Sequence, residues 1–516
     1  MEHFIDENTV MHFYLKELEA DHIEFLKGKE KEKQQIADSL NALLAAESMN
    51  DKIRIASGLW KLLFAASMSY IDPDKKGYDK LFSYFDEYVE FEELIFASDS
   101  FYRDHTLHCM WVYLLGEYIY RSGEFEPIFK TGRKDESIFY AFYDALKQLG
   151  IADKGEFKVW KSLIEELDRG EKLQDSVRCV AALTHDLGYP IKKIDKINRS
   201  IGKILPFYAV DKISDYNFTY SNVNQKFIDI FLRLLSTNIN YVIRTDDDAD
   251  GEAEEIFQNL LKIEEKGREI LGVNQEFIEK ITPEQKEYLV KNVKVILRQQ
   301  YRYSGAMAYS SDFESYQHGI MSAFLLCKNL SSFRNIEITE GTNIELYNVD
   351  YAKLMAKKAI LNSITNHTSE NFQISNIKEA TFLTFVDELE EFSRISRASQ
   401  NREYVEEFCD SEIYMDEQGW FCVDFSFVND ELDNLDPKRA FKGRCKRFLT
   451  LFNIAELDEN LKIRLRCIGK LKKDSSVYQL EIARKHAAIF VDGVEQNIPQ
   501  YLNSPEFYTR EEYERM

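Results

Sequence analysis

Residues 177–190 place a histidine and an aspartate, His185 and Asp186, side by side at the end of an apolar helical stretch. No other feature restricts the fold as strongly, because its meaning depends on which groups the rest of the chain brings back to that helix end. Adjacent residues on a helix point about 100° apart, so both can face one ion only if it sits beside the helix. Gly188 and Pro190 are expected to stop that helix just past the pair. Alone, a His-Asp dipeptide is an ordinary helix end. The positions of the other histidines give it weight.

With 516 residues the chain exceeds one small core, and length suggests roughly two to four domains. A hydrophobic share of 44% with 13% aromatics is enough to bury one large core and a satellite. The formal charge of −23 argues against broad binding to a phosphate backbone, so nucleic acid is not an expected partner. An anionic ligand would need local neutralisation, for which a divalent metal is the obvious candidate. The seven cysteines are scattered with no C-x-x-C pair, which fits reduced thiols in a cytoplasmic protein. We find no signal-peptide pattern at the N-terminus and no apolar run of about 18 residues, so a membrane location is not expected.

Residues 1–100 read as a helical region packing on the core, including an amphipathic stretch at 13–27, with nothing that looks catalytic. His3, His12 and His22 sit there among polar residues and read as surface groups. Asp104 can cap a helix whose first turn carries His105 and His108, three apart and on one face. These two histidines can reach a common ion or anion, or simply pack. Past the doublet, Lys192, Lys193, Lys196 and Arg199 form a basic patch in an acidic chain, either a solvated helix face or a phosphate contact. Residues 245–251 imitate the start of a calcium loop, but Phe257 stands where a bidentate glutamate is needed, so an acidic loop is expected. Further helices carry His318 near a start, His367 at an end, and Asp387 in the middle of residues 380–394. An aspartate flanked by Phe385, Val386 and Leu389 needs a partner for its charge.

From about residue 415 to 516 the pattern changes to alternation. Residues 420–428, 461–468 and 477–490 read as strands around a basic amphipathic helix at 437–452, together a separate small α+β domain with one antiparallel sheet. That helix carries Lys438, Arg439, Lys442, Arg444, Lys446 and Arg447, which can bind nucleic acid or an effector nucleotide, or form a solvated face or an oligomer contact. His486 lies in this part and reads as structural or exposed.

Five of the nine histidines lie between 105 and 367, and Asp387 follows. Imidazole with carboxylate suits Mn²⁺, Fe²⁺, Zn²⁺ or Co²⁺, with Mg²⁺ or Mn²⁺ favoured as the carboxylate share rises. The order His108, then His185-Asp186 followed by Leu-Gly, then Asp387 resembles the HD-domain superfamily of metal-dependent phosphohydrolases over residues 101–400. His108 matches that family's first histidine better than His105 because a valine, Val112, follows four residues later. The resemblance implies a mainly α fold with a helical core, and His108, His185, Asp186 and Asp387 as metal ligands. His318 and His367 fall where two-metal members such as cyclic nucleotide phosphodiesterases place extra ligands, with Asp186 then bridging two ions. Glu390 and Arg394, at +3 and +7 from Asp387, resemble the last motif of deoxynucleoside triphosphate triphosphohydrolases.

Deoxynucleotide triphosphate hydrolysis is the first expectation, with cyclic or linear phosphodiester cleavage next and a catalytically silent nucleotide sensor third. One or two divalent ions would serve as cofactor. Arg103, the lysines after the doublet and Arg394 would meet phosphate charge, and His105 would protonate the leaving oxygen beside the metal-holding Asp186. A homo-oligomer with an allosteric nucleotide is also expected.

Overall fold

The computed structural model describes residues 5–96, 101–129, 134–194, 205–208, 220–245, 281–334, 336, 344–346, 350–369, 372–392, 394–396, 410–428, 430 and 436–498. The fold is mainly α with a C-terminal α+β part, as its sequence pattern implies. The acidic loop expected after Thr245, together with His3, Lys196 and Arg199, lies outside the described residues.

Four helices come first: α1 (Glu7–Glu19), α2 (Glu30–Leu44), α3 (Met49–Ile71) and α4 (Tyr78–Phe96). The expected helix over 13–27 is interrupted, since α1 ends at Glu19 and only a 3-10 turn follows at Glu24–Leu26. Asp6 and Ser48 cap α1 and α3 by accepting amide protons from Thr9 and Asp51. Trp60 of α3 stacks on Phe85 of α4 at 3.9 Å and on Phe64 at 5.2 Å.

Strand β1 (Phe101–Arg103) leads into α5 (His105–Arg121), where Asp104 accepts from the amides of Thr106 and Leu107 as its sequence position suggests. Every residue of α5 from His105 to Glu117 is buried, so this helix is the axis of the core. After α6 (Lys134–Gln148), helix α7 (Lys158–Thr184) packs against both α3 and α5. Its last ten residues, Asp175 to Thr184, are all buried, so its C-terminal end lies deep in the protein. That helix ends at Thr184, one residue before the doublet, and not at Gly188 or Pro190. Pro190 instead belongs to a new helical segment over residues 189–194, in keeping with proline's tolerance in a first turn.

A stretch with no clear strand pattern then forms an antiparallel sheet. Following α8 (Asn222–Leu235), β2 (Thr237–Thr245) pairs along its whole length with β3 (Val293–Tyr301), which follows α9 (Pro283–Asn292). Next come α10 (Tyr303–Glu314), α11 (His318–Asn329) and β4 (Ile344–Leu346), which joins that sheet beside β3. Helix α12 (Tyr351–Asn366) packs along α7, and α13 (Glu379–Asp387) packs on α12. Asp387 is therefore the last residue of its helix, and the expected continuation to Arg394 is absent. Arg394 lies in β5 (Arg394–Ser396), which pairs with β1 so that Arg103 and Arg394 are opposite one another along the backbone.

The C-terminal sheet has the order β11-β10-β9-β8-β7-β6. It uses β6 (Asp410–Met415), β7 (Phe421–Phe427), β8 (Ile463–Gly469), β9 (Val477–Ala483), β10 (His486–Val491) and β11 (Val494–Gln496), with α14 (Pro437–Leu451) between β7 and β8. It is mixed, not antiparallel: β7 and β8 run parallel because α14 is a crossover helix. Strand β7 is buried along its entire length, as a central strand covered on both faces is. This part is not detached. Ile5 donates its amide to the Ser411 carbonyl, and one continuous apolar cluster runs from Ile5 through α3, α5 and α7 to Ile489. His486 is exposed on the edge of this sheet, away from the other histidines.

Candidate metal centre

Six side chains that are far apart in sequence meet where α5, α7, α11, α12 and α13 converge. His108 comes from the first turn of α5, and His185 and Asp186 from the turn that ends α7. His318 opens α11, His367 closes α12 and Asp387 closes α13. Helix ends are suited to this, because side chains there can converge on a point without the flanking turns of an unbroken helix.

On one side, His108 Nε2 lies 2.8 Å from Asp387 Oδ1 and 3.7 Å from Asp186 Oδ2. His185 Nε2 lies 3.3 Å from His108 Nε2, 3.5 Å from Asp186 Oδ2 and 3.8 Å from Asp387 Oδ1. On the other side, Asp186 Oδ1 is 3.1 Å from His318 Nε2 and 3.6 Å from His367 Nε2. The two oxygens of Asp186 thus address two different pairs of imidazoles. Three ligand groups, His108/His185/Asp186, His185/His367/Asp387 and Asp186/His318/His367, each have their donor atoms within 4.8 Å of one another.

Second partners hold the rings. His185 Nδ1 is bonded to the Ala182 carbonyl at 2.7 Å, His367 Nδ1 to the Ile364 carbonyl, and His108 Nδ1 to the buried Glu390 carboxylate. Each bond occupies Nδ1 and leaves Nε2 for the centre, the usual support of a metal-ligating histidine. His367 Nε2 is buried with no hydrogen-bond partner. An orphaned ring nitrogen facing a carboxylate is what a cation would satisfy, so the residues fit a metal.

Electrostatics agree with that fit. Burial lowers the pKa of His185 to about 4, helped by His367 and His108 and opposed by Asp186 and Asp387. Burial likewise lowers His318 to about 4, with His367 and Lys192 adding to the effect. For Asp186, burial alone would raise the carboxyl, but His185 and the neighbouring His318 and His367 rings outweigh it and hold it well below the carboxylate range. Neutral His185 and His318 beside an ionised Asp186 are in the protonation states that bind cations. Cys109 Sγ lies 3.7 Å from His185 Nδ1, on the side of that ring away from the centre, and burial pushes its thiol well up.

The turn that carries the doublet is held from outside. Trp60 Nε1 donates to the Leu183 carbonyl at 2.6 Å, Ser322 Oγ to the His185 carbonyl at 2.6 Å, and Tyr84 OH to the Leu187 carbonyl at 2.5 Å. Ser322 Oγ also accepts from Gly188 N at 2.7 Å. These bonds satisfy carbonyls that the end of α7 leaves without helical partners. Gly188 is needed for a close approach: a Cβ there would lie 2.4 Å from the His318 carbonyl oxygen.

The candidate acid, His105, stands outside this cluster. Its Nδ1 lies 2.8 Å from Glu92 Oε2 and its ring 3.9 Å from that of Tyr189. Tyr189 in turn is 5.2 Å from the His318 ring and has the Lys193 ammonium 4.6 Å above its own. Lys192 is exposed and donates to Gln317, next to His318. Glu92 is a contact that the sequence did not disclose, since nothing marks it within the acidic stretch Glu90 to Glu93. Glu390 had a signal, its position three residues after Asp387, but no role. No family model, no curated protein and no solved structure matches the chain.

Proposed function

We propose that this chain is a metal-dependent phosphohydrolase whose centre would hold two divalent ions, with Asp186 serving both, and that it cleaves a nucleotide phosphodiester. One observation carries the reading: the two carboxylate oxygens of Asp186 face different imidazole pairs, His108 with His185 and His318 with His367. His108, His185, Asp186 and Asp387 would hold one ion, and Asp186, His318 and His367 the other. This nitrogen and oxygen donor set suits Mn²⁺, Fe²⁺, Co²⁺ or Zn²⁺. Bound there, the metal supplies Lewis-acid polarisation of a phosphoryl oxygen and a lowered pKa for water.

The chain's own side chains do the rest. Lys192 and Lys193, beside His318 and Tyr189, neutralise phosphate charge. Tyr189 lies against the rings of both His105 and His318 and so joins the candidate acid to the centre. His105, fixed at Nδ1 by Glu92, gives a proton from Nε2 to the leaving oxygen. Burial of His108, His185, Asp186 and His367 keeps bulk water from their nitrogens and oxygens, while His318 and Asp387 are half-buried at the open side.

A second reading is triphosphate release from a deoxynucleotide. It is supported by Glu390, which lies at the motif position three residues after Asp387 and bonds His108. Metal content by elemental analysis, on wild type beside Asp186→Ala, tests the site. About two equivalents, lost in the variant, support the bridged centre; none in wild type after Mn²⁺ is added back defeats the catalytic reading and leaves a sensor. Product analysis then separates the substrates, because inorganic triphosphate forms only in the second reading.

A further inference from the structure

The basic helix α14 does not present its charges as one outer surface. Lys438 and Arg439 are exposed, but Lys442 is buried, and Arg444 and Arg447 turn onto the segment that carries Asp387. The six basic residues of this helix are therefore not all presented on one solvated face. Arg447 Nε donates to Glu388 Oε1 at 2.5 Å, and its Nη2 donates to the His367 carbonyl at 3.3 Å. One turn earlier, Arg444 Nη2 lies 2.6 Å from Glu391 Oε1, with its guanidinium 4.0 Å above the Phe425 ring.

The placement is systematic. Glu388 directly follows the ligand Asp387, and Glu391 directly follows Glu390, the carboxylate that orients His108. His367 and Asp387 both stand at the ends of their helices, where the backbone lacks the next turn to hold it. A single planar guanidinium with two acceptors spans those two ends, which a lysine ammonium cannot do with the same geometry. The contact is anchored nearby by backbone bonds from Ile374 N to the Leu451 carbonyl at 2.7 Å and from Asn453 N to the Ile374 carbonyl at 3.0 Å.

We infer that Arg447 is a positioning residue of the metal centre: the C-terminal α+β part sets the spacing of His367 and Asp387 through it. This inference rests on the two-ion reading above. It makes the metal affinity of a site built from residues 108–387 depend on a helix that begins fifty residues beyond its last ligand.

The test is Mn²⁺ titration of the full, EDTA-stripped chain, followed by the electron paramagnetic resonance signal of free Mn²⁺, with thermal melting of the metal-free protein alongside. Arg447→Met should weaken Mn²⁺ binding about 10- to 100-fold, the usual effect of removing an outer-shell support. Its metal-free melting temperature should stay within about 3 °C of wild type, since a part-exposed ion pair adds little to the stability of so long a chain. Arg447→Lys should recover part of the affinity, and Glu388→Gln should weaken it in the same direction. Arg484→Met, which removes an exposed pair with Glu459, should leave it unchanged. Should Arg447→Met fail to fold, Arg447→Lys and Glu388→Gln carry the test. Wild-type affinity in the Arg447 and Glu388 variants overturns the inference. So does a loss of affinity that tracks melting temperature, with lysine no better than methionine. A wild-type chain that takes up no Mn²⁺ fails the two-ion reading itself.

Discussion

Gly319 follows His318 in the first turn of α11, and a methyl group there would strike the opposite ligand. A Cβ at this position would lie 2.4 Å from the Ile364 carbonyl oxygen, 2.7 Å from Thr368 Oγ1 and 2.9 Å from His367 Nδ1. The Ile364 carbonyl is the group that holds His367 Nδ1, so Gly319→Ala drives a wedge into the bond that orients that ring. Opening the shortest contact from 2.4 Å to an ordinary 3.4 Å requires α11 and the end of α12 to separate by about 1 Å. Overpacking of this kind costs about 1–3 kcal/mol. In a chain this long that lowers the melting temperature by only a few degrees. The effect on metal is larger, because ligand distances tolerate only about 0.2 Å. The group Asp186/His318/His367 should then fail to close, while His108, His185 and Asp387 stay in place. Elemental analysis and Mn²⁺ titration of Gly319→Ala should find about one tight equivalent where wild type has two. Two equivalents at wild-type affinity would refute the assignment of His318 and His367 to a second ion.

Two further outcomes follow from the same geometry. Glu390→Gln keeps the shape but removes the charge that holds His108 Nδ1, and should weaken metal binding about tenfold or more by calorimetry; unchanged affinity would mean that Glu390 only fills space. Lys358 is buried against the carbonyls of Leu234 and Leu235, and burial lowers its pKa to about 7 from an ordinary 10.5. Between those two values the unfolded chain binds more protons than the folded one, so this residue makes stability rise with pH across that window and flatten below about 7. Denaturant melts of wild type and Lys358→Met from pH 6 to pH 10 should show the rise, of a few kcal/mol in order of magnitude, only in wild type; parallel curves would refute it.

Much of the site could be read before any coordinates. Histidine and aspartate at the ends of apolar stretches are conspicuous, since such groups rarely enter a core without partners. His108, His185, Asp186, His318, His367 and Asp387 all stand out on that ground, and all six meet in the fold. The groups that hold them were harder to see. Trp60, Tyr84 and Ser322 act on main-chain carbonyls, and a carbonyl leaves no mark on the residue that will bond to it. Arg447 was visible only as one of six basic residues on a helix. The long pair of β2 and β3 escaped because its residues are only partly buried and lack strict alternation.

By itself the sequence determined the class of fold and the chemical kind of the site. Helical periodicity up to about residue 400 and alternation after it are local properties of the chain, set by where side chains point along a helix or a strand. The identity of the residues that could hold a metal is equally local. Tertiary structure alone decided how those residues divide. Ending α7 at Thr184 turns Asp186 between two pairs of imidazoles, and the crossover through α14 brings Arg447 to the two helix ends that carry His367 and Asp387. Both depend on distances between segments some sixty to well over a hundred residues apart. No local pattern records such distances, because they are set only when the helices pack.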